Sequence, residues 1–116
     1  MQDDYDMVLD LCRDERRRII LGVLATERRS LTLSDLTKTV LKHNHQMPVT
    51  ALSEDVFTQI RLSIQHQHIP KLRSAEVVKY DPARQLVEPT AEFERIEPHF
   101  SAIIEADPDL DPPIEL

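Results

Sequence analysis

From Glu54 to Ser74 the apolar residues of this chain recur at helical spacing, and the sequence then passes directly into two short apolar runs around an Asp-Pro turn. No other stretch restricts the fold as tightly. On a helical wheel, Phe57, Ile60, Leu62, Ile64, Ile69 and Leu72 fill one broad side. The opposite side collects Gln59, Ser63, His66, Gln67, Pro70 and Ser74, and it carries no acid. A helix that merely faces solvent usually mixes Glu and Lys there. Amides, a hydroxyl and an imidazole are donors and acceptors that can meet base edges without repelling phosphate. Arg61, Lys71 and Arg73 flank this strip and are placed to hold phosphates. Pro70 removes a backbone donor, so a bend is expected near the end of the helix. Val77-Val78-Lys79-Tyr80 and Gln85-Leu86-Val87-Glu88 read as the strands of a β-hairpin, with Lys79 and Arg84 adding positive charge to it.

Upstream, Asp14 is a helix N-cap before Glu15, and Ile20, Val23 and Leu24 mark a core-facing stripe. Arg16, Arg17 and Arg18 are expected to point outward as a solvated face. Ser30-Leu31-Thr32-Leu33 leans towards strand, and Thr32 with Asp35 resembles a capping box. A second helix is expected over 33–42, buried through Leu33, Leu36, Val40 and Leu41. Residues 44–52 read as a loop, with Ser53 capping the helix that follows. Downstream, Thr90 caps a last helix, which Pro98 is expected to bend or split. Its stripe of Phe93, Ile96, Phe100, Ile103 and Ile104 suits packing on the first helix of the same chain or on a second copy. The chain thus divides into an acidic segment (1–12), a central domain (13–89), a C-terminal helix (90–106) and an acidic, proline-rich tail (107–116) expected to be irregular and mobile.

Composition narrows the chemistry. Gly22 is the only glycine in 116 residues, which excludes a glycine-rich phosphate loop. Cys12 is the only cysteine, which excludes an internal disulfide and a cysteine-rich zinc module. It is most simply a small buried hydrophobe, with a reactive thiol as the alternative. The pairs His43/His45 and His66/His68 have i, i+2 spacing; on a helix that points His66 and His68 apart, while His43 and His45 lie near a loop with few carboxylates nearby and no second cysteine, so no metal site is expected. No nucleophile, base and orienting group stand in a readable order, so neither an enzyme nor a cofactor is expected. No apolar run is long enough to span a membrane, and the acidic start is unlike a secretory signal; a cytoplasmic location is expected. Net charge is −7, and it is uneven. Residues 13–87 hold 13 bases and 8 acids between two acidic ends. That pattern suits either a solvated acidic surface or a central body that touches a polyanion.

The order helix, short strand, helix, helix, hairpin, helix predicts a mainly α fold with a small β-hairpin, the winged helix-turn-helix. In such domains the third helix enters the major groove and the hairpin flanks it. The segment from His68 to Asp81 resembles the end of the recognition helix and the first wing strand of ArsR-like regulators. Arg61, Ser63, His66, His68, Ile69, Pro70, Lys71 and Leu72, followed by Tyr80, Asp81 and Pro82, resemble more closely a haloarchaeal winged-helix family of unknown function. A looser match places Leu11 with Arg16, Arg17 and Arg18 in that family's first-helix motif. The resemblance spans roughly residues 7–90, and Glu76 departs from it where glycine is usual, so a different local turn is expected there. It implies a sequence-specific transcriptional regulator that binds double-stranded DNA. Gln59, Ser63, His66 and Gln67 would face bases, while Arg61, Lys71, Arg73, Lys79 and Arg84 would hold phosphates. A homodimer is expected because regulators of paired half-sites usually dimerise. The alternative is a winged-helix module that docks a protein partner without DNA.

Overall fold

A computed structural model describes residues 2–43, 54–110 and 114–116. The chain runs through α1 (Gln2–Cys12), α2 (Glu15–Glu27), β1 (Leu31–Thr32) and α3 (Leu33–His43). It continues through α4 (Glu54–Ser63), which passes by a wide π turn (Ile64–His68) into α5 (Ile69–Ser74). Strands β2 (Val78–Asp81) and β3 (Leu86–Pro89) and helix α6 (Ala91–Glu105) follow. The sheet is antiparallel with order β1-β3-β2. Val87 of β3 lies between Leu31 of β1 and Tyr80 of β2. This is the mainly α, α+β class expected, with a helix, α1, added ahead of the expected elements. The β-leaning Leu31-Thr32 supplies a third strand to the hairpin. The loop over 44–52 and the cap at Ser53 lie outside the described residues.

Local chemistry sets the helix starts. Asp14 Oδ1 accepts from the amides of Arg16 at 2.8 Å and Arg17 at 3.3 Å. Thr32 Oγ1 accepts from Asp35 N at 3.0 Å and Thr90 Oγ1 from Phe93 N at 3.3 Å. Each such cap contributes about 1 kcal/mol. The core gathers Val8 and Leu11 from α1, Ile20 and Leu24 from α2, and Leu36 and Val40 from α3. Ile60, Ile64, Ile69 and Leu72 join it from the α4–α5 rod.

Several expectations need correction. Residues 2–12 are a helix packed on α6 and α2, with Val8, Leu11 and Cys12 in the core. Asp4, Asp6 and Asp10 stay out of the core, and Asp4 takes a bidentate contact from Arg95 at 2.8 and 3.0 Å. Pro98 neither splits nor ends α6, which runs unbroken to Glu105. Pro98 is solvent-exposed, so the carbonyl it leaves without a helical partner belongs to the wet side of the helix. Leu62 is 41% exposed and off the apolar side. Pro70 acts through the π turn: Ile69 N donates to Ile64 O, five residues back. A proline ring crowds the carbonyl four residues before it, and a widened turn relieves that contact.

The turn at Glu76 keeps the geometry usually built with glycine. Glu76 has φ 64°, its amide donates to Arg73 O at 2.9 Å, and Val77 N donates to Leu72 O at 3.2 Å. These two bonds define a Schellman motif. A side chain held in this left-handed region costs about 1–2 kcal/mol, and the capping bonds and the hairpin that starts next offset it.

The tail is docked rather than mobile over its described residues. Leu110 and Ile114 are each 2% exposed. Asp107 pairs with Arg18 at 2.8 Å. Gly22 is where the tail makes its closest approach: a Cβ there would stand 2.6 Å from Ile114 Cδ1. The lone glycine therefore serves packing, letting Ile114 rest on bare backbone. Beyond it, Lys42 Nζ donates to Leu116 O at 3.4 Å, and His43 Nε2 lies 3.2 Å from Glu115 O.

Candidate nucleic-acid interface

The α4–α5 rod turns its apolar side to the core and leaves Gln59, His66, Gln67, Pro70, Arg73 and Ser74 exposed. Of the four residues expected to face bases, Gln59, His66 and Gln67 are open to solvent. Ser63 is half-buried, and its Oγ accepts from Arg16 Nη1 at 3.1 Å. From Val56 to Ala75 the chain contains no acid.

The expected phosphate-holding cations fall into two groups. Arg61 is half-buried, Arg73 and Lys79 are exposed, and none of the three has an ion pair among the described residues. Arg73 and Lys79 come together in one cleft where α5 meets β2, beside Glu76 and Tyr80. Lys71 and Arg84 are engaged. Lys71 Nζ lies 2.6 Å from Asp10 Oδ2, and Arg84 Nε donates to Asp81 Oδ2 at 2.8 Å. Asp81 Oδ1 also accepts from the amides of Ala83 and Arg84, which shapes the hairpin tip. Lys71 and Gln67 line a second cleft with Arg13, Asp14 and Arg17.

The arginine triplet does not form a solvated face. Arg16 reaches Ser63 on the rod. Arg17 is only 6% exposed, and it donates from Nε to Leu11 O at 2.9 Å and from Nη2 to Asp10 O at 3.1 Å. Its Nη1 lies 3.4 Å from His68 Nδ1. Arg18 donates to Cys12 O at 2.6 Å and pairs with Asp107. Together Arg17 and Arg18 satisfy carbonyls of the last turn of α1, where helices lack internal donors. Reading residues 1–12 as an acidic segment hides this role, because the orphan carbonyls exist only once α1 is a helix.

His68 points away from His66 and is 1% exposed. Burial lowers its pKa below the ordinary 6.5, against the raising effect of Asp14, whose Oδ1 is 3.9 Å from Nε2. Arg17 and Arg16 add to the lowering. The folded chain thus holds this proton less well than the unfolded chain. Its contribution to stability is complete above about pH 6.5 and declines as pH falls through the depressed folded value. Urea midpoints at pH 7.5 and 5.5 are expected to differ in the parent protein and to differ less in His68→Gln. An equal acid loss in both proteins contradicts this assignment. Cys12 is buried, its thiol pushed up to about 11 by desolvation, which fits an inert core residue. No three His, Cys, Asp or Glu side chains converge on a point among the described residues. No helix there is long and apolar enough to cross a membrane.

Residues 9–88 match the family model described as Domain of unknown function (DUF7344). The chain belongs to that family. No curated protein and no solved structure matches it. The DUF7344 match runs from Leu9 in α1 to Glu88 in β3, so it takes in Asp10, the arginine triplet, the whole rod, the second cleft and all of the first but Thr90.

Outside the DUF7344 match lies α6, with the stripe considered for contact with a second copy. Phe93, Ile96, Phe100 and Ile104 are buried in the core of their own chain, and Ile103 is half-buried. The Phe93 and Phe100 rings meet edge-on at 5.1 Å. Arg28, at the end of α2, grips Glu97 of α6 through both carboxylate oxygens, at 3.3 and 2.8 Å. The stripe is thus occupied within one chain.

Proposed function

We propose that this DUF7344 domain is a sequence-specific DNA-binding transcriptional regulator. The α4–α5 rod enters the major groove, and the β2–β3 hairpin follows the backbone. The observation that carries this reading is the acid-free run from Val56 to Ala75, whose outer side leaves Gln59, His66, Gln67 and Arg73 open. Amides pair well with adenine edges, and neutral donors suit a chain of net charge −7, since they need no excess of cations. The resemblance to ArsR-like and haloarchaeal winged-helix proteins supports the same reading, including a cytoplasmic location. The protein-docking alternative has one exposed large apolar residue on the rod, Leu62. A single leucine is ordinary surface, not a patch.

Selection from a random duplex library is the test. A defined motif is expected to enrich, and binding to it is expected to persist as salt rises while random duplex is lost. Gln67→Ala and Gln59→Ala are each expected to relax preference at one or two positions, by about 1–3 kcal/mol per lost base contact. Failure to enrich any motif refutes the reading. An unchanged motif in both variants refutes these two assignments.

A further inference from the structure

We infer that Lys71 and Arg13, at the cleft between the start of α2 and the rod, seat one backbone phosphate, and that Asp10, reaching them from α1, holds them in the free protein as an internal substitute. This inference rests on the DNA-binding reading above. The cleft is lined by Arg13, Asp14, Arg17, Gln67 and Lys71. Gln67 is one of the exposed amides on the rod, so an anion here lies beside the strip offered to bases. Asp10 Oδ2 is 2.6 Å from Lys71 Nζ, and Asp10 Oδ1 is 3.3 Å from Arg13 Nη2. One carboxylate thus bridges two cations with its two oxygens. A phosphodiester presents the same chemistry: a monoanion with two terminal oxygens that accept from nitrogen donors.

Asp10 has little structural reason to be acidic. It sits in the last turn of α1, where the helix dipole disfavours negative charge. Its partners are open to water: the Lys71 and Arg13 side chains are 40% and 79% exposed, so the pairs contribute little to folding. Lys71, hydrogen-bonded to it, holds its carboxyl below the usual carboxylate range, so it stays ionised under physiological conditions. Asp14 is committed elsewhere, with Oδ1 capping α2. Arg17 is committed as well, to the carbonyls of α1. The exchangeable groups are therefore Asp10, Lys71 and Arg13. An incoming phosphate must displace Asp10, which suppresses loose binding to any duplex and leaves base contacts to decide affinity.

The test is Asp10→Asn, read by fluorescence anisotropy with a random-sequence duplex at several salt concentrations. The amide keeps the shape and removes the charge. Binding is expected to tighten by about fivefold, the upper range for release of an exposed ion pair. The plot of log affinity against log salt is expected to steepen by about 1, the value for one added phosphate contact. Glu105→Gln makes the same change of net charge on the exposed end of α6, and less than about a twofold effect is expected from it after screening. Adding Lys71→Ala to Asp10→Asn is expected to abolish the gain, and Arg13→Ala in the same background to reduce it. Equal tightening by Asp10→Asn and Glu105→Gln overturns the inference, as does a gain that survives loss of Lys71. If the parent protein binds its selected motif and Asp10→Asn changes nothing, the phosphate seat falls and the DNA reading stands. If neither the parent nor any variant binds duplex, both fall.

Discussion

Arg17→Ala is expected to destabilise the folded domain by about 3 kcal/mol, read as a shift in the urea midpoint at constant slope. The guanidinium lies buried where α1, α2 and the π turn of the rod meet. Truncation removes the donor to Leu11 O, which has no other among the described residues. It also removes one of the donors to Asp10 O, which keeps Arg13 N at 3.3 Å. A void opens beside His68, and burying a carbonyl without a partner costs about 1–3 kcal/mol before that void is counted. Arg17→Lys is expected to recover little. A single ammonium cannot reach two carbonyls and an imidazole edge in the fork geometry that a guanidinium provides. A loss below 1 kcal/mol for Arg17→Ala would mean that α1 is held by its apolar residues alone. Arg17→Ala is also expected to weaken duplex binding, because His68 stands within the rod and Arg17 fixes the end of α1 against it.

The central elements are legible in the sequence because their signals are local. Helical spacing from Phe57 to Leu72, a hairpin around Asp81-Pro82, and caps at Asp14, Thr32 and Thr90 each act over a few residues. The structure reproduces them. What escapes is long-range. Nothing near Arg17 in the sequence says that its partners are two carbonyls of a preceding helix and His68, 51 residues on. The acids of residues 3–10 mask the apolar positions Val8 and Leu11, whose burial makes α1 part of the core. The tail misleads in the same way. Asp107, Asp109 and the prolines dominate its composition, while its attachment depends on Leu110, Ile114 and the bare backbone of Gly22. At the candidate interface, sequence distinguishes Gln59 and Gln67 from the core side of the rod. It cannot show that Ser63 already accepts from Arg16, or that Lys71 is paired with Asp10.

Phe100→Ala is expected to cost about 3–5 kcal/mol, the range for removing a fully buried aromatic ring. Phe100 is 1% exposed, packs edge-on against Phe93, and with Ile104 lines the groove where Ile114 meets Gly22. Its loss therefore loosens α6 and the docked tail together. The dependence on concentration is the decisive readout. A stripe buried within one chain gives a melting temperature that does not change with protein concentration. A seam between two copies gives one that rises with concentration, because association stabilises by mass action. Phe100→Ala is expected to lower the melting temperature by the same amount at low and high concentration, with Ile103→Ala showing a smaller loss from its half-buried position. A parent melting temperature that climbs with concentration, and a Phe100→Ala variant in which that climb disappears, would return the stripe to a role between copies. In that case the contacts of α6 with α1 and α2 would have to be exchanged between chains.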